Sequence, residues 1–238
     1  MVPLSFGKTE LLLRSDRSVF WPQLKTLFVA DLHLEKASFF AQHGQPLPPY
    51  DSRATLEAVA QAVRETGAER VVTLGDNFHD PDGAARMDDA TCAMLRDLTR
   101  TLDWVWITGN HDGPSDAAGA AAECGGRLAG ELEIGGVVCR HEAQPGETRA
   151  ELSGHWHPKL DVTVRGRRIR RPCAVIARSE TRAPRMVLPA FGALTGGMDA
   201  GHPAIRKSLS PADRIEAACV ARGQLVRFPL WRAQKHAA

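Results

Sequence analysis

The sequence predicts an α/β fold: two stacked β-sheets flanked by α-helices, with a candidate metal-binding crevice at the strand ends. Three observations lead there. The first half alternates short apolar runs with stretches of helical periodicity, a β-α-β-α-β order. Three of those runs end alike: Leu27 to Ala30 in Asp31-Leu32-His33, Val71 to Leu74 in Gly75-Asp76, and Val105 to Thr108 in Gly109-Asn110-His111-Asp112. From Glu131 onward the segments become short and strand-like, separated by Gly and Pro turns, which calls for a second sheet. Right-handed crossovers bring the three motifs to one edge, where open α/β sheets place their ligands.

The elements follow in order. Thr9 to Arg14 and Ser18 to Trp21 read as an opening hairpin across Ser15-Asp16-Arg17. After the strand ending in Asp31-Leu32-His33, the Pro-rich stretch Gln45 to Tyr50 excludes a helix. Asp51 caps a helix over Ser52 to Thr66, with Leu56, Ala60 and Val63 as its apolar stripe and Gly67 as its stop. The plan repeats as strand Arg70 to Leu74, loop 75 to 85, helix Met87 to Thr101 with Met94, Leu95 and Leu98 inward, and strand Trp104 to Thr108. Pro114 to Gly130 reads as a short helix followed by a loop. The second sheet is expected from Glu131 to Ile134, Val137 to Arg140, Glu151 to Ser153, Leu160 to Val164, Arg168 to Arg170, Ala174 to Ala177 and Arg185 to Leu188, with a closing strand at Gln224 to Phe228.

The 238 residues suffice for one large domain over residues 1–238, and 43% hydrophobic residues supply its core. A net charge of +2 does not announce a polyanionic partner for the whole molecule. Five scattered cysteines without a Cys-x-x-Cys pair argue against a disulfide framework and a thiolate zinc site. With no signal-like N-terminus and no segment long enough to span a bilayer, the expected location is the cytoplasm.

Taken singly each motif is weak, since an Asp after a strand is often only a helix cap. The second half adds His141 after Val137 to Arg140, and Gly154-His155-Trp156-His157 after another strand. Imidazole, carboxylate and amide groups in this number suit one or two divalent ions of the manganese, iron or zinc kind.

The ordered set Asp31-x-His33, Gly75-Asp76, Gly109-Asn110-His111-Asp112, His141 and Gly154-His155-x-His157 resembles the calcineurin-like metallophosphoesterases, over roughly residues 25 to 160. The resemblance implies that Asp31, His33 and His157 hold one ion, that Asn110, His141 and His155 hold the other, and that Asp76 bridges them. It implies two divalent ions, manganese first, with iron, zinc and nickel as alternatives. His111 would face the substrate as general acid in phosphodiester hydrolysis by an activated water, and Asp112 would orient it. Many relatives carry Gly-Asp-x-x-Asp; here that last position is His79, a candidate substrate contact. Asp31-Leu32-His33-Leu34-Glu35-Lys36, Gly75-Asp76-Asn77-Phe78-His79-Asp80 and Pro189 to Gly197 are similar to the narrower DNA-ligase-associated metallophosphoesterases. That likeness implies a phosphodiesterase or nuclease in DNA repair, with a DNA ligase and a helicase as partners.

Residues 158–190 hold nine Lys and Arg against Asp161 and Glu180. A basic hairpin carrying Arg167 and Arg168 therefore either follows a nucleic-acid backbone or is a charged edge that resists strand pairing. Arg140, next to His141, is a further candidate phosphate contact, although strand alternation points it to the opposite face. Few aromatic residues interleave with these charges, so no base-stacking platform is expected. A hydrolase of a small or lipid-linked phosphoester is the alternative function, and a non-catalytic scaffold a third.

Overall fold

The computed structural model describes residues 1–112 and 124–233. Most of the stretch Pro114 to Gly130, expected as a short helix followed by a loop, lies outside the described residues. Among the described residues the strands form two seven-stranded sheets and one separate hairpin.

The first sheet opens with an antiparallel meander of β1 (Val2–Phe6), β2 (Thr9–Leu13), β3 (Val19–Trp21) and β4 (Thr26–Val29). It continues in parallel through β5 (Arg70–Leu74), β6 (Asp103–Ile107) and β7 (Arg127–Ala129). The expected hairpin at 9–21 is thus the middle of a longer ribbon. Neither the first strand β1 nor the short edge strand β7 carries a long apolar alternation, so no local pattern announces them.

In the second half the chain forms β8 (Glu131–Ile134), β9 (Val137–Arg140), β10 (Ala150–Ser153), the hairpin β11 (Lys159–Val164) and β12 (Arg167–Pro172), β13 (Ala174–Arg178), β14 (Arg185–Val187), β15 (Arg214–Ala221) and β16 (Gln224–Arg232). The second sheet runs β16-β15-β13-β14-β10-β9-β8, and β11–β12 belongs to neither large sheet.

Five α-helices and one 3-10 turn (Pro22–Leu24) lie among the described residues: α1 (Lys36–Gln42), α2 (Asp51–Thr66), α3 (Gly83–Arg86), α4 (Asp89–Thr101) and α5 (Pro203–Ser208). Gly67 closes α2 at φ 67°, its N–H donating to the Val63 carbonyl, and the Asp88 carboxylate caps α4 through the Ala90 and Thr91 N–H groups. Asp51 does not cap α2. It is that helix's first residue, and its Oδ2 accepts from Ala37 N, 3.0 Å away, at the start of α1. The carboxylate thus serves a neighbouring helix, a pairing that no local pattern announces.

Strand alternation divides the core. Phe28, Val72, Leu74, Val105 and Ile107 face the second sheet and meet Cys139, Leu152, Ile176 and Met186. Leu27, Val29, Val71, Trp104 and Trp106 face the helices and meet Leu56, Val59 and Ala62 of α2 and Leu95 of α4. The expected stripe on α2 is displaced by one position, Val59 and Ala62 being fully buried while Ala60 and Val63 are half-buried. Burial on both faces is why β4, β5 and β6 read as continuous apolar runs.

Candidate metal centre

The site forms where β4, β5, β6, β9 and β10 end. Main-chain bonds between the first loops fix its floor: Asp31 N donates to Gly75 O (3.2 Å), His33 N to Asp76 O (2.9 Å) and Leu34 N to Asn77 O (2.9 Å). The second sheet is tied in by Gly154 N donating to His141 O (2.8 Å) and His155 N to the Asp31 carboxylate (2.9 Å).

Five expected ligands occupy the left-handed region: Asp31 (φ 52°), His33 (44°), Asp76 (47°), His155 (74°) and His157 (45°). An L-residue there costs on the order of 1 kcal/mol, and such strain gathers where function fixes the backbone. Glycine makes room between these residues. A Cβ at Gly75 would lie 2.2 Å from His141 Nδ1, and one at Gly109 would lie 2.2 Å from Asp76 N and 2.4 Å from its Oδ1. Gly109→Ala is therefore expected to displace the Asp76 carboxylate and weaken divalent-ion binding about tenfold or more, measured by calorimetric titration; unchanged affinity would contradict this tight fit.

The structure brings all seven expected ligands into one crevice. Asp31, His33, Asp76 and His157 form one group, Asp76, His141 and His155 a second, with the donor atoms of each group within 4.8 Å of one another. Asn110 joins the second group, its Oδ1 2.8 Å from His141 Nε2. Asp76, buried, stands in both: one oxygen is 3.6 Å from His33 Nε2 and the other 3.4 Å from His141 Nε2.

The donor set fits divalent cations. Ring nitrogens point at one another, His33 Nε2 at His157 Nε2 (3.2 Å) and His141 Nε2 at His155 Nδ1 (2.9 Å). Burial, and then the neighbouring His157, push His33 down to about 2; burial, and then His141, lower His155. Neutral imidazoles offer lone pairs, the form a metal takes. With nitrogen and carboxylate oxygen and no thiolate, the site suits manganese, iron or zinc better than a soft ion.

His111 flanks this crevice, 5.2 Å from His33 between ring centroids. Its main-chain N–H donates to Asp76 Oδ1 (3.1 Å), and its Nδ1 lies 2.9 Å from the carbonyl oxygen of His79. A carbonyl only accepts, so Nδ1 carries hydrogen and Nε2 is the ring's free end. Asp112 takes a different place from the expected one. Its carboxylate accepts from the main-chain N–H groups of Gly109, Asn77 and Phe78 and from the Asn77 amide. Among the described residues the orienting bond to His111 comes from His79; Asp112 ties the loops after β5 and β6 together.

The His79 ring stacks between His111 (5.5 Å, 18° between planes) and Phe40 (5.8 Å, 23°), with Phe39 edge-on at 4.8 Å. Burial, and then the charge of Lys36, push His79 down to about 4. Short helix α1 thus supplies an aromatic wall and a cation beside the centre. The sequence announces here only a little apolar surface in the amphipathic segment Ala37 to Ala41, since seven residues are too few to show a helical period.

The other candidate contacts lie elsewhere. Arg140 is buried and ion-pairs with Glu131 (2.9 Å), Glu147 (2.9 Å) and Glu151 (3.4 Å), which withdraws it from any phosphate. Strand alternation decides this, turning Arg140 away as it turns His141 inward. Arg140→Ala would strand the fully buried Glu151 without that partner; we expect a loss of about 3 kcal/mol in urea unfolding, and a loss below 1 kcal/mol would refute this role. Arg167 and Arg168 lie at the exposed turn end of β12, with Arg168 engaged by Asp161 at 2.9 Å.

Two sheets between helices, with two overlapping His and Asp groups at the strand ends, form the architecture of the metallophosphoesterase class. The chain belongs to the calcineurin-like phosphoesterase family, whose profile matches residues 24–147. Among solved structures it is similar to the Pseudomonas putida nuclease MPE, with 30% identity over 95% of this chain and 98% of that one and a TM-score of 0.68. It also matches Yfce, a phosphoesterase from E. coli, at 13% identity over 86% and 98% of the two chains with a TM-score of 0.43. No curated protein matches. Among the described residues no helix is long and apolar enough to cross a membrane.

Proposed function

We propose that the protein is a divalent-metal-dependent phosphodiesterase that cleaves nucleic acid, DNA in a repair setting, with His111 as general acid. The observation that carries this reading is the convergence of two ligand groups on Asp76 with His111 beside them. The likeness to a nuclease along nearly the whole chain supports a nucleic-acid substrate. Asp31, His33, His157 and Asp76 would hold one ion, and Asp76, Asn110, His141 and His155 the other. Two such ions, when bound, supply an activated water near neutral pH and neutralise charge on the phosphoryl oxygens.

The chain's own residues do the rest. With Nδ1 committed to the His79 carbonyl, His111 can deliver a proton only from Nε2, to the departing alkoxide. His79 stacks on the ring and is itself backed by Phe40, which favours one direction for His111 before substrate arrives. Manganese as the native ion, a cytoplasmic location and a DNA ligase and helicase as partners rest on the subfamily resemblance, and belong to the same proposal.

The test is incubation of manganese-loaded protein with circular single-stranded and supercoiled DNA beside a His111→Ala control. Nicking by the wild type alone is expected. Intact DNA together with rapid hydrolysis of a small phosphodiester would move the substrate to a small or lipid-linked phosphoester.

A further inference from the structure

Beside the metal centre, three cations converge on the loop that follows β14. Arg17, held at φ 79°, reaches the carbonyls of Ala190 (3.3 Å) and Gly192 (3.4 Å). Lys159 reaches the carbonyl of Thr195 (3.3 Å), and Arg170 that of Gly197 (2.7 Å). The loop is bonded to the centre at both ends: Gly192 N donates to Asp31 O (3.3 Å) and Met198 N to His157 O (3.2 Å). Arg17 and Lys159 line one small cavity with His157, about 30 Å³ in volume, bounded also by Thr195 and Gly196.

Carbonyl contacts orient these cations without neutralising them. Among the described residues none of the three forms an ion pair with a carboxylate, while Asp16 is taken by Arg14 and Asp161 by Arg168. Gly197 is shaped to this arrangement, since a Cβ there would lie 2.6 Å from both Lys159 Cε and His157 O. Fixed like charges at one point repel, and the arrangement makes physical sense when an anion joins them.

We propose that Arg17, Lys159 and Arg170 form a second phosphate subsite, which binds the phosphate next to the scissile one in a nucleic-acid strand. The cavity is too small to enclose a phosphate, so the anion lies across its mouth, between the carbonyl-anchored cations. The inference rests on the nucleic-acid reading above and gives it a direction: the strand leaves the centre past His157 toward the base of the β11–β12 hairpin. Arg167 and Arg168, toward the hairpin's turn, are not part of the subsite.

The test uses a fluorescein-labelled, phosphorothioate-linked oligothymidylate of eight nucleotides, which resists cleavage, and the manganese-loaded protein, with anisotropy titrations across a series of KCl concentrations. Comparison is between wild type, Lys159→Gln with Arg170→Gln, and a control that loses two charges elsewhere, Arg64→Gln with Arg100→Gln. For the subsite pair we expect a Kd raised about tenfold or more at low salt, and a log Kd against log salt slope lower by about 1.4, since each lost contact on a single strand removes about 0.7. The control pair should change the slope far less. Equal effects from both pairs would reduce the subsite to general electrostatics and overturn it, as would an unchanged slope in the first pair. Thermal melting within a few degrees of wild type excludes misfolding as the cause; should that pair melt early, Lys159→Arg with Arg170→Lys must restore the slope, and failure to do so overturns the proposal. A wild type that hydrolyses a small phosphodiester but binds no oligonucleotide would instead sink the nucleic-acid reading, and the subsite with it.

Discussion

Asp76→Asn is expected to lower phosphodiester hydrolysis on the order of 10³-fold or more and to leave fewer than two ions per chain. Asp76 is the only residue shared by both ligand groups among the described residues, with its oxygens 3.6 Å from His33 Nε2 and 3.4 Å from His141 Nε2. An amide keeps the size but loses the charge and one oxygen, which removes what holds two cations close together. The same carboxylate accepts from His111 N, so the general acid would drift as well. Metal analysis beside steady-state rates checks the prediction. Two ions retained at wild-type affinity would show that the two groups do not share Asp76.

His111→Ala should keep the metal complement and lose about 10²- to 10⁴-fold in kcat. Its ring is absent from both ligand groups, and its Nδ1 is occupied by the His79 carbonyl. The loss should shrink for substrates with a good leaving group. Nitrophenolate departs without a proton, whereas a nucleoside alkoxide needs one. Equal losses for bis-nitrophenyl phosphate and for a dinucleotide would mean that His111 stabilises charge rather than donating a proton. The predicted pattern separates the two roles in a way that a single rate cannot.

How far the site could be read from the sequence depends on the range of each interaction. Asp31, His33, Asp76, Asn110, His141, His155 and His157 were legible because each follows a strand, and parallel strands deliver their carboxyl ends to one edge. The partners of those residues were not. That His79 rather than Asp112 holds His111, and that Asp51 serves α1 rather than α2, follow from loops meeting across the sheet. Arg140 illustrates both cases. Alternation foretold that it points away from His141, yet the three glutamates that enclose it come from β8, β10 and the loop between β9 and β10.

The sequence by itself determined the α/β order, the second sheet and the strand-end placement of the seven candidate ligands, since apolar period and turn residues are local properties that the chain carries wherever it folds. Only the tertiary structure decided which helix a carboxylate caps, which carbonyl orients His111, and where the exposed cations gather. Those outcomes depend on contacts between segments as distant as Arg17 and Gly192, or His33 and His157, and are fixed by packing two sheets together rather than by the residues' neighbours in the chain.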